Sequence, residues 1–321
     1  MKLRLLFVLF ALTVTLASVG CSGDVTTPET AASPEPAELL DRALFFDDPE
    51  ISGAQLSPDG TFISVLQPYA GARNIWVKGL DEPFEAARPI TADERPVPGY
   101  FWSQDGRYVL YVQDRDGDEN YHVWAVDPAG EPAENDVPAA RDLTPVDGIR
   151  AAIYSVPENQ PGVLLVGLND RDPAFHDLYR IDIESGERTL LRRNTEQVGR
   201  WVFDLDGNLR LAVRQTPGGG SEILRIVDNN EMVPIYDTTY EESANPYRFT
   251  PDGDLVYLVT NKGEDIDLTR LTLLDPETGE TELVDVDPEG RVDFVGAVLD
   301  EVTDELVATV FVGDRVRIYP K

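Results

Sequence analysis

The chain has 321 residues, 42% of them hydrophobic, which is enough for a substantial core and argues against wholesale disorder. Its 59 acidic and 27 basic side chains give a formal charge of −32, which argues against charge-driven binding to nucleic acid or to an anionic membrane surface. Lysine stands only at positions 2, 78, 262 and 321, and either adaptation to high salt or, alternatively, a bias in genome composition would account for so arginine-rich a balance.

Lys2 and Arg4 precede an apolar run over residues 5–16, about the length of a signal-peptide core and short for a membrane-spanning helix. Export is the expectation. Cys21 is the only cysteine, so it forms no internal disulfide and is either a free thiol or a modified residue. The Gly20-Cys21 pair resembles a bacterial lipobox, although Ser18 stands where such motifs usually carry Leu. The resemblance implies a lipoprotein-type signal over 1–21 and lipid attachment at Cys21, with ordinary cleavage nearby as the alternative. Ser22, in place of a retention-type Asp, implies the outer membrane, facing periplasm or exterior. Residues 22–36 are too polar and proline-rich to pack and read as a tether. Residues 37–50 read as a short helix and lead-in, because Pro36 precedes an apolar set of Leu39, Leu40, Ala43, Leu44 and Phe46 that predicts a helix over 36–46.

From residue 51 to 321 the chain repeats itself. Asp-Gly pairs begin at 59, 105, 206 and 252, and the wide middle step holds a divergent copy over 153–168 whose turn contains proline instead. A second series, NIWVKGLD, YHVWAVDP, DLYRIDIE, EILRIVDN, DLTRLTLL and DRVRIYPK, makes six copies visible. In each copy Ser-Pro-Asp-Gly or a relative reverses the chain, Pro setting the second turn position and Gly the left-handed one. The runs that follow, such as RYVLYV and DLVYLV, are β-branched and aromatic and too short for helices, so they read as inner strands. Four antiparallel strands per copy, at a period in the forties, predict an all-β fold, a β-propeller of about six blades with the last incomplete. A solenoid is the runner-up.

The runs at 99–127, GYFWSQDGRYVLYVQDRDGDENYHVWAVD, and at 165–190, LVGLNDRDPAFHDLYRIDIESGERTL, resemble the propeller of prolyl oligopeptidase-family serine peptidases. The likeness is to the bacterial acylaminoacyl peptidase and dipeptidyl aminopeptidase branch. It implies a propeller that restricts access to short peptides, ahead of an α/β-hydrolase domain with Ser, Asp and His in the usual roles. None of that machinery is recognisable here, so no catalytic residue, cofactor or metal is assigned. Gly219-Gly220-Ser221-Glu222-Ile223 lacks the last glycine of a nucleophile elbow and sits between propeller strands. The expectation is a propeller portion without its catalytic domain. Two alternatives stay open: a complete six-bladed protein closed by an N-terminal strand, and a stand-alone binding or scaffold propeller of the cell envelope. Partners follow from the reading: short peptides if a catalytic domain is present, the membrane through Cys21, and no nucleic acid.

The remaining candidates have plainer explanations. His122 lies in a predicted strand and His176 in a predicted turn, neither beside a matching nucleophile, and structural or surface roles are expected. Asp114, Asp116, Asp118 and Asn120 alternate as in a calcium loop, but the twelfth position is Ala125, so a polar hairpin tip is the reading. Glu241 and Glu242 resemble the acidic residues that hold a peptide's amino terminus in aminopeptidase members, and are expected to face solvent instead. Trp76, Trp102, Trp124, Tyr179 and Trp201 recur at matching positions and are expected to pack between blades.

Overall fold

The computed structural model describes residues 39–46, 49–133, 135–227, 231–300 and 302–321. Cys21 and the predicted signal segment and tether lie outside them. The chain divides into two units, Met1–Asp48 and Pro49–Lys321. In the first, the helix predicted over 36–46 is seen as α1, Ala43–Phe46, residues 39–41 are not helical, and residues 36–38 of the prediction lie outside the described residues. Phe46 N–H donates to the Arg42 carbonyl at 3.1 Å and Leu44 N–H to that of Asp41 at 3.1 Å. So short a turn barely repays helix nucleation, and Leu39, Leu40, Leu44, Phe45 and Phe46 are all exposed.

The second unit is built from six antiparallel sheets, each a meander taken in chain order. Blade 1 holds β1 (Ser52–Leu56), β2 (Phe62–Tyr69), β3 (Ala72–Gly79) and β4 (Arg88–Pro89). Blade 2 holds β5 (Tyr100–Trp102), β6 (Val109–Gln113), β7 (His122–Val126) and β8 (Arg141–Asp142). Blade 3 holds β9 (Ala151–Ser155), β10 (Val163–Asp172), β11 (Phe175–Asp182) and β12 (Arg188–Arg192). Blade 4 holds β13 (Val198–Phe203), β14 (Leu209–Gln215), β15 (Ser221–Ile226) and β16 (Met232–Asp237). Blade 5 holds β17 (Ala244–Phe249), β18 (Val256–Thr260), β19 (Arg270–Leu274) and β20 (Thr281–Asp285). Blade 6 has three strands, β21 (Phe294–Leu299), β22 (Leu306–Val312) and β23 (Val316–Pro320). The fold is a six-bladed β-propeller, as the repeats predict.

The Asp-Gly signature works through one hydrogen-bonded turn. In blade 1 Gly60 N–H donates to the Ser57 carbonyl at 2.8 Å, the Ser57 hydroxyl donates to Asp59 at 2.5 Å, and Gly60 takes φ +69°. Blade 2 repeats this with Ser103, Asp105 and Gly106, and blade 5 with Thr250, Asp252 and Gly253. The positive φ is costly for any residue with a Cβ, which is why the glycine recurs. Blade 3 departs as expected: Gln160 N–H donates to the Pro157 carbonyl and Val163 N–H to that of Gln160, making a longer turn between β9 and β10.

The core lies between blades. One cluster joins blades 1 and 2 through Ile75, Val77, Trp102 and Tyr111. The next joins blades 2 and 3 through Leu110, Val123, Leu164 and Ile181. Trp201 and Leu224 meet Leu178 across blades 3 and 4, Leu211 and Ile223 meet Phe249 and Leu258 across blades 4 and 5, and Leu271 meets Phe294 and Phe311 across blades 5 and 6. Each fully buried Leu, Ile or Phe contributes about 1.5–3 kcal/mol by leaving water. Among the described residues no buried cluster joins blade 6 to blade 1. The second face of blade 6, where Val312 pairs with Val316 and Val310 with Ile318, is open, with Val316 60% and Ile318 59% exposed.

Candidate functional site at the propeller opening

The first strands of blades 2 to 5 converge on one cavity of about 500 Å³. Its walls come from Phe101 and Trp102 of β5, Ile153 and Tyr154 of β9, Phe203 of β13, and Tyr247 and Arg248 of β17. Strand geometry explains the lining, since the first strand of each sheet is the edge turned toward the common opening and presents alternate side chains to it.

Arg248 reaches across this opening. Its Nη2 lies 4.0 Å from Glu158 of blade 3 and is paired with Asp304 of blade 6. One guanidinium on blade 5 therefore ties a non-adjacent blade on one side to the next blade on the other. Glu158 sits in the long turn that replaces Asp-Gly, so the divergence of the third repeat places a carboxylate there. The same turn holds blade 4, where Asn159 Nδ2 donates to Asp206 at 3.2 Å. Asp304 is held at φ +56° between β21 and β22. Burial beside the opening pushes the Tyr154 hydroxyl up to about 12, and Arg200, exposed on β13, donates to the Asn245 side chain. Neither Arg248 nor Glu158 stands out from sequence; the only signal is that the third turn breaks the pattern.

The residues singled out from sequence lie elsewhere. His122 is buried in β7 with Nδ1 2.7 Å from Asp142 Oδ2, and Arg115 stands 3.6 Å from the same oxygen. His176 is not in a turn: the hairpin closes at Pro173-Ala174, and His176 lies in β11, where burial lowers its pKa. A tight two-residue connection leaves no room for it in the loop. In the loop over 114–120, Asp118 accepts from the amides of Arg115 and Asn120, and Asp114 accepts from the Glu119 amide and pairs with Arg95 at 3.2 Å. The loop carboxylates thus serve their own backbone. Glu242 accepts from the Thr239 amide at 2.9 Å and the Gly263 amide at 3.2 Å, and these bonds, the Thr239 amide first, lower its pKa. Its carboxylate is engaged in closing loops, while Glu241 accepts from the Tyr240 hydroxyl at 3.0 Å. Ser221 begins β15 and its hydroxyl lies 2.9 Å from that of Thr238, a strand-to-strand contact with no elbow geometry. Trp102 and Trp201 pack between blades as predicted, Tyr179 packs against the cluster of blades 2 and 3, and Trp124 packs against the cluster of blades 1 and 2 while also bordering a cleft.

No family model matches the chain. It is 35% identical over 275 residues to dipeptidyl aminopeptidase BIII of Pseudoxanthomonas mexicana, covering 84% of this chain and 38% of that protein. Among solved structures, oligopeptidase B from Leishmania major matches at a TM-score of 0.51 and 10% identity, over 84% of this chain and 38% of that one. The chain belongs to the propeller region of the prolyl oligopeptidase family. Oligogalacturonate lyase in complex with manganese matches at a TM-score of 0.52 and 16% identity, over 80% of this chain and 69% of that one, which shows only that the fold is shared. As a prolyl oligopeptidase-family propeller, the chain spans less than two-fifths of the length of its curated relative.

Proposed function

We propose that this propeller restricts access in an exported prolyl oligopeptidase-type serine peptidase acting on short peptides. The observation that carries the reading is the opening ringed by four first strands and crossed by Glu158, Arg248 and Asp304. Side chains meeting across so small a space exclude folded protein, while a slender peptide displaces one ion pair at modest cost, because such partly exposed pairs are worth about 1 kcal/mol or less. The identity to a dipeptidyl aminopeptidase over most of the chain supports the substrate class. In this reading the nucleophile, base and orienting acid belong to a hydrolase domain outside these residues, and the propeller contributes exclusion. The N-terminal charge and apolar run support export, with a lipid anchor at Cys21.

The test is to recover the polypeptide from membranes of the source cells with an antibody to the propeller and treat it with a fluorophosphonate. The expected result is a labelled species longer than 321 residues that releases dipeptides. An unlabelled species that leaves dipeptidyl substrates intact would overturn the reading.

A further inference from the structure

The two ends of the propeller differ in charge. In an antiparallel meander the turn from first to second strand and the turn from third to fourth lie at the same end of the blade. The first-to-second turns run over 57–61, 103–108, 156–162, 204–208, 250–255 and 300–305, and the third-to-fourth turns over 80–87, 127–140, 183–187, 227–231 and 275–280. Every one of these turns carries at least one carboxylate, and Arg107 is the only Lys or Arg in the whole set. At the opposite end the loops and blade connections carry Arg95, Arg115, Arg150, Arg193, Lys262 and Arg291 among their acids. The acid is therefore polarised toward one end rather than spread evenly.

The cations that do reach the acidic end leave its centre negative. Arg88, Arg141 and Arg188 open the outermost strands, at the rim. Nearer the axis, Arg107 is paired with Glu184 at 2.9 Å, Arg210 with Asp204 at 3.2 Å, and Arg248 with Asp304. Asp206, Asp254 and Glu305 are exposed on the inner turns and, among the described residues, have no cation within ion-pair distance.

These inner turns surround the opening. Neighbours touch: Gln104 Nε2 donates to the Val156 carbonyl at 3.4 Å, Asn159 Nδ2 to Asp206 at 3.2 Å, and Arg210 Nη1 to the Gly253 carbonyl at 3.2 Å. The cavity of about 500 Å³ opens among them, since Gln104, Glu158, Asp204 and Leu205 belong both to the turns and to its wall. Behind the carboxylates the lining is aromatic, from Phe101, Tyr154, Phe203 and Tyr247, and ring faces attract cations. A mouth of one charge sign with low-dielectric walls focuses its field and speeds entry of the opposite charge by about 10-fold to 1,000-fold.

We propose that this anionic end is the entrance for substrate, and that its field admits short cationic peptides ahead of neutral ones and turns acidic ones away. The ammonium terminus and the Lys or Arg side chains of such a peptide meet the carboxylates first and the aromatic lining next. The inference rests on the access-restricting role proposed above and adds the charge of the peptides admitted.

The test is the association rate of three tetrapeptides, Ala-Arg-Ala-Arg, Ala-Gln-Ala-Gln and Ala-Glu-Ala-Glu, each carrying the same neutral dye, with the 321-residue chain. In about 10 mM salt, where charges act over about 30 Å, the Arg peptide is expected to associate about tenfold faster than the Gln peptide, and the Glu peptide more slowly than either. In about 1 M salt the three rates are expected to converge. Two triple variants of exposed acids locate the effect. Asp206→Asn with Asp254→Asn and Glu305→Gln, at the mouth, is expected to cut the Arg-peptide rate about fivefold, whereas Glu94→Gln with Asp116→Asn and Glu264→Gln, at the other end, is expected to leave it within about twofold. Equal losses in the two variants would mean attraction to an acidic protein as a whole and would overturn the proposal, as would equal rates for the three peptides at low salt. Binding is read without turnover, so failure here leaves the fluorophosphonate result of the peptidase reading untouched.

Discussion

Asp59 accepts from the Ser57 hydroxyl and from the amide and hydroxyl of Thr61, and these bonds, the Ser57 hydroxyl first, hold its carboxyl below the ordinary value of 3.8. The depressed value means that the carboxylate stabilises the fold fully above pH 3.8, and that this contribution is lost as pH falls through the lower folded value. Melting curves of wild type and Asp59→Asn are therefore expected to differ near neutral pH and to converge at about pH 2; an unchanged gap across that range would show that the charge is not what matters. The Arg248 contacts differ in kind, because they cross the opening rather than stabilise one turn. Arg248→Ala is expected to cost about 1 kcal/mol in urea unfolding at low salt and less in about 1 M salt, as ions screen a partly exposed pair. Equal cost at both salt concentrations would deny the electrostatic account. At this scale the sequence was half legible. Repetition exposes the turn aspartates, since the same bond is made several times, whereas Arg248 and Glu158 meet only because blades 3 and 5 face each other across a ring, a proximity no local pattern encodes.

Strand order and turn chemistry were readable because each repeat uses a local rule: a Pro-Asp-Gly reversal, then a short β-branched run. The helix was legible in place but not in extent: among the described residues of 36–46 only Ala43–Phe46 is helical, since an apolar pattern marks a preference that the cost of nucleation limits in so short a segment. His176 was misplaced for a related reason: the hairpin turn is two residues long, and composition alone does not locate its ends. The clusters between blades carry the stability. Trp201 is 1% exposed at the interface of blades 3 and 4. Trp201→Ala is expected to cost about 3–5 kcal/mol, whereas Tyr240→Ala, at a side chain 74% exposed, is expected to stay within about 0.5 kcal/mol. Chemical denaturation of both variants makes the comparison, and similar losses would contradict an interface-based core.

Across the whole molecule, five inter-blade interfaces carry buried apolar clusters, and blade 6 presents a second face on which Val298, Val312, Val316 and Ile318 are exposed. An apolar sheet face beside an edge strand that has no further partner among the described residues invites association. Ile318→Lys is expected to lower binding of a hydrophobic dye and to shift the 321-residue chain toward monomer in sedimentation; no change in either would mean that this face is covered. Blade count was legible from the repeats, but which blade faces are satisfied was not, because that depends on contacts between repeats. The central claim, that the propeller serves a serine peptidase, is tested most directly by reading the coding sequence beyond codon 321 in all three forward frames. The account predicts further blade repeats followed by Gly-x-Ser-x-Gly, then Asp and His in that order. A stop with none of these in any frame would contradict it.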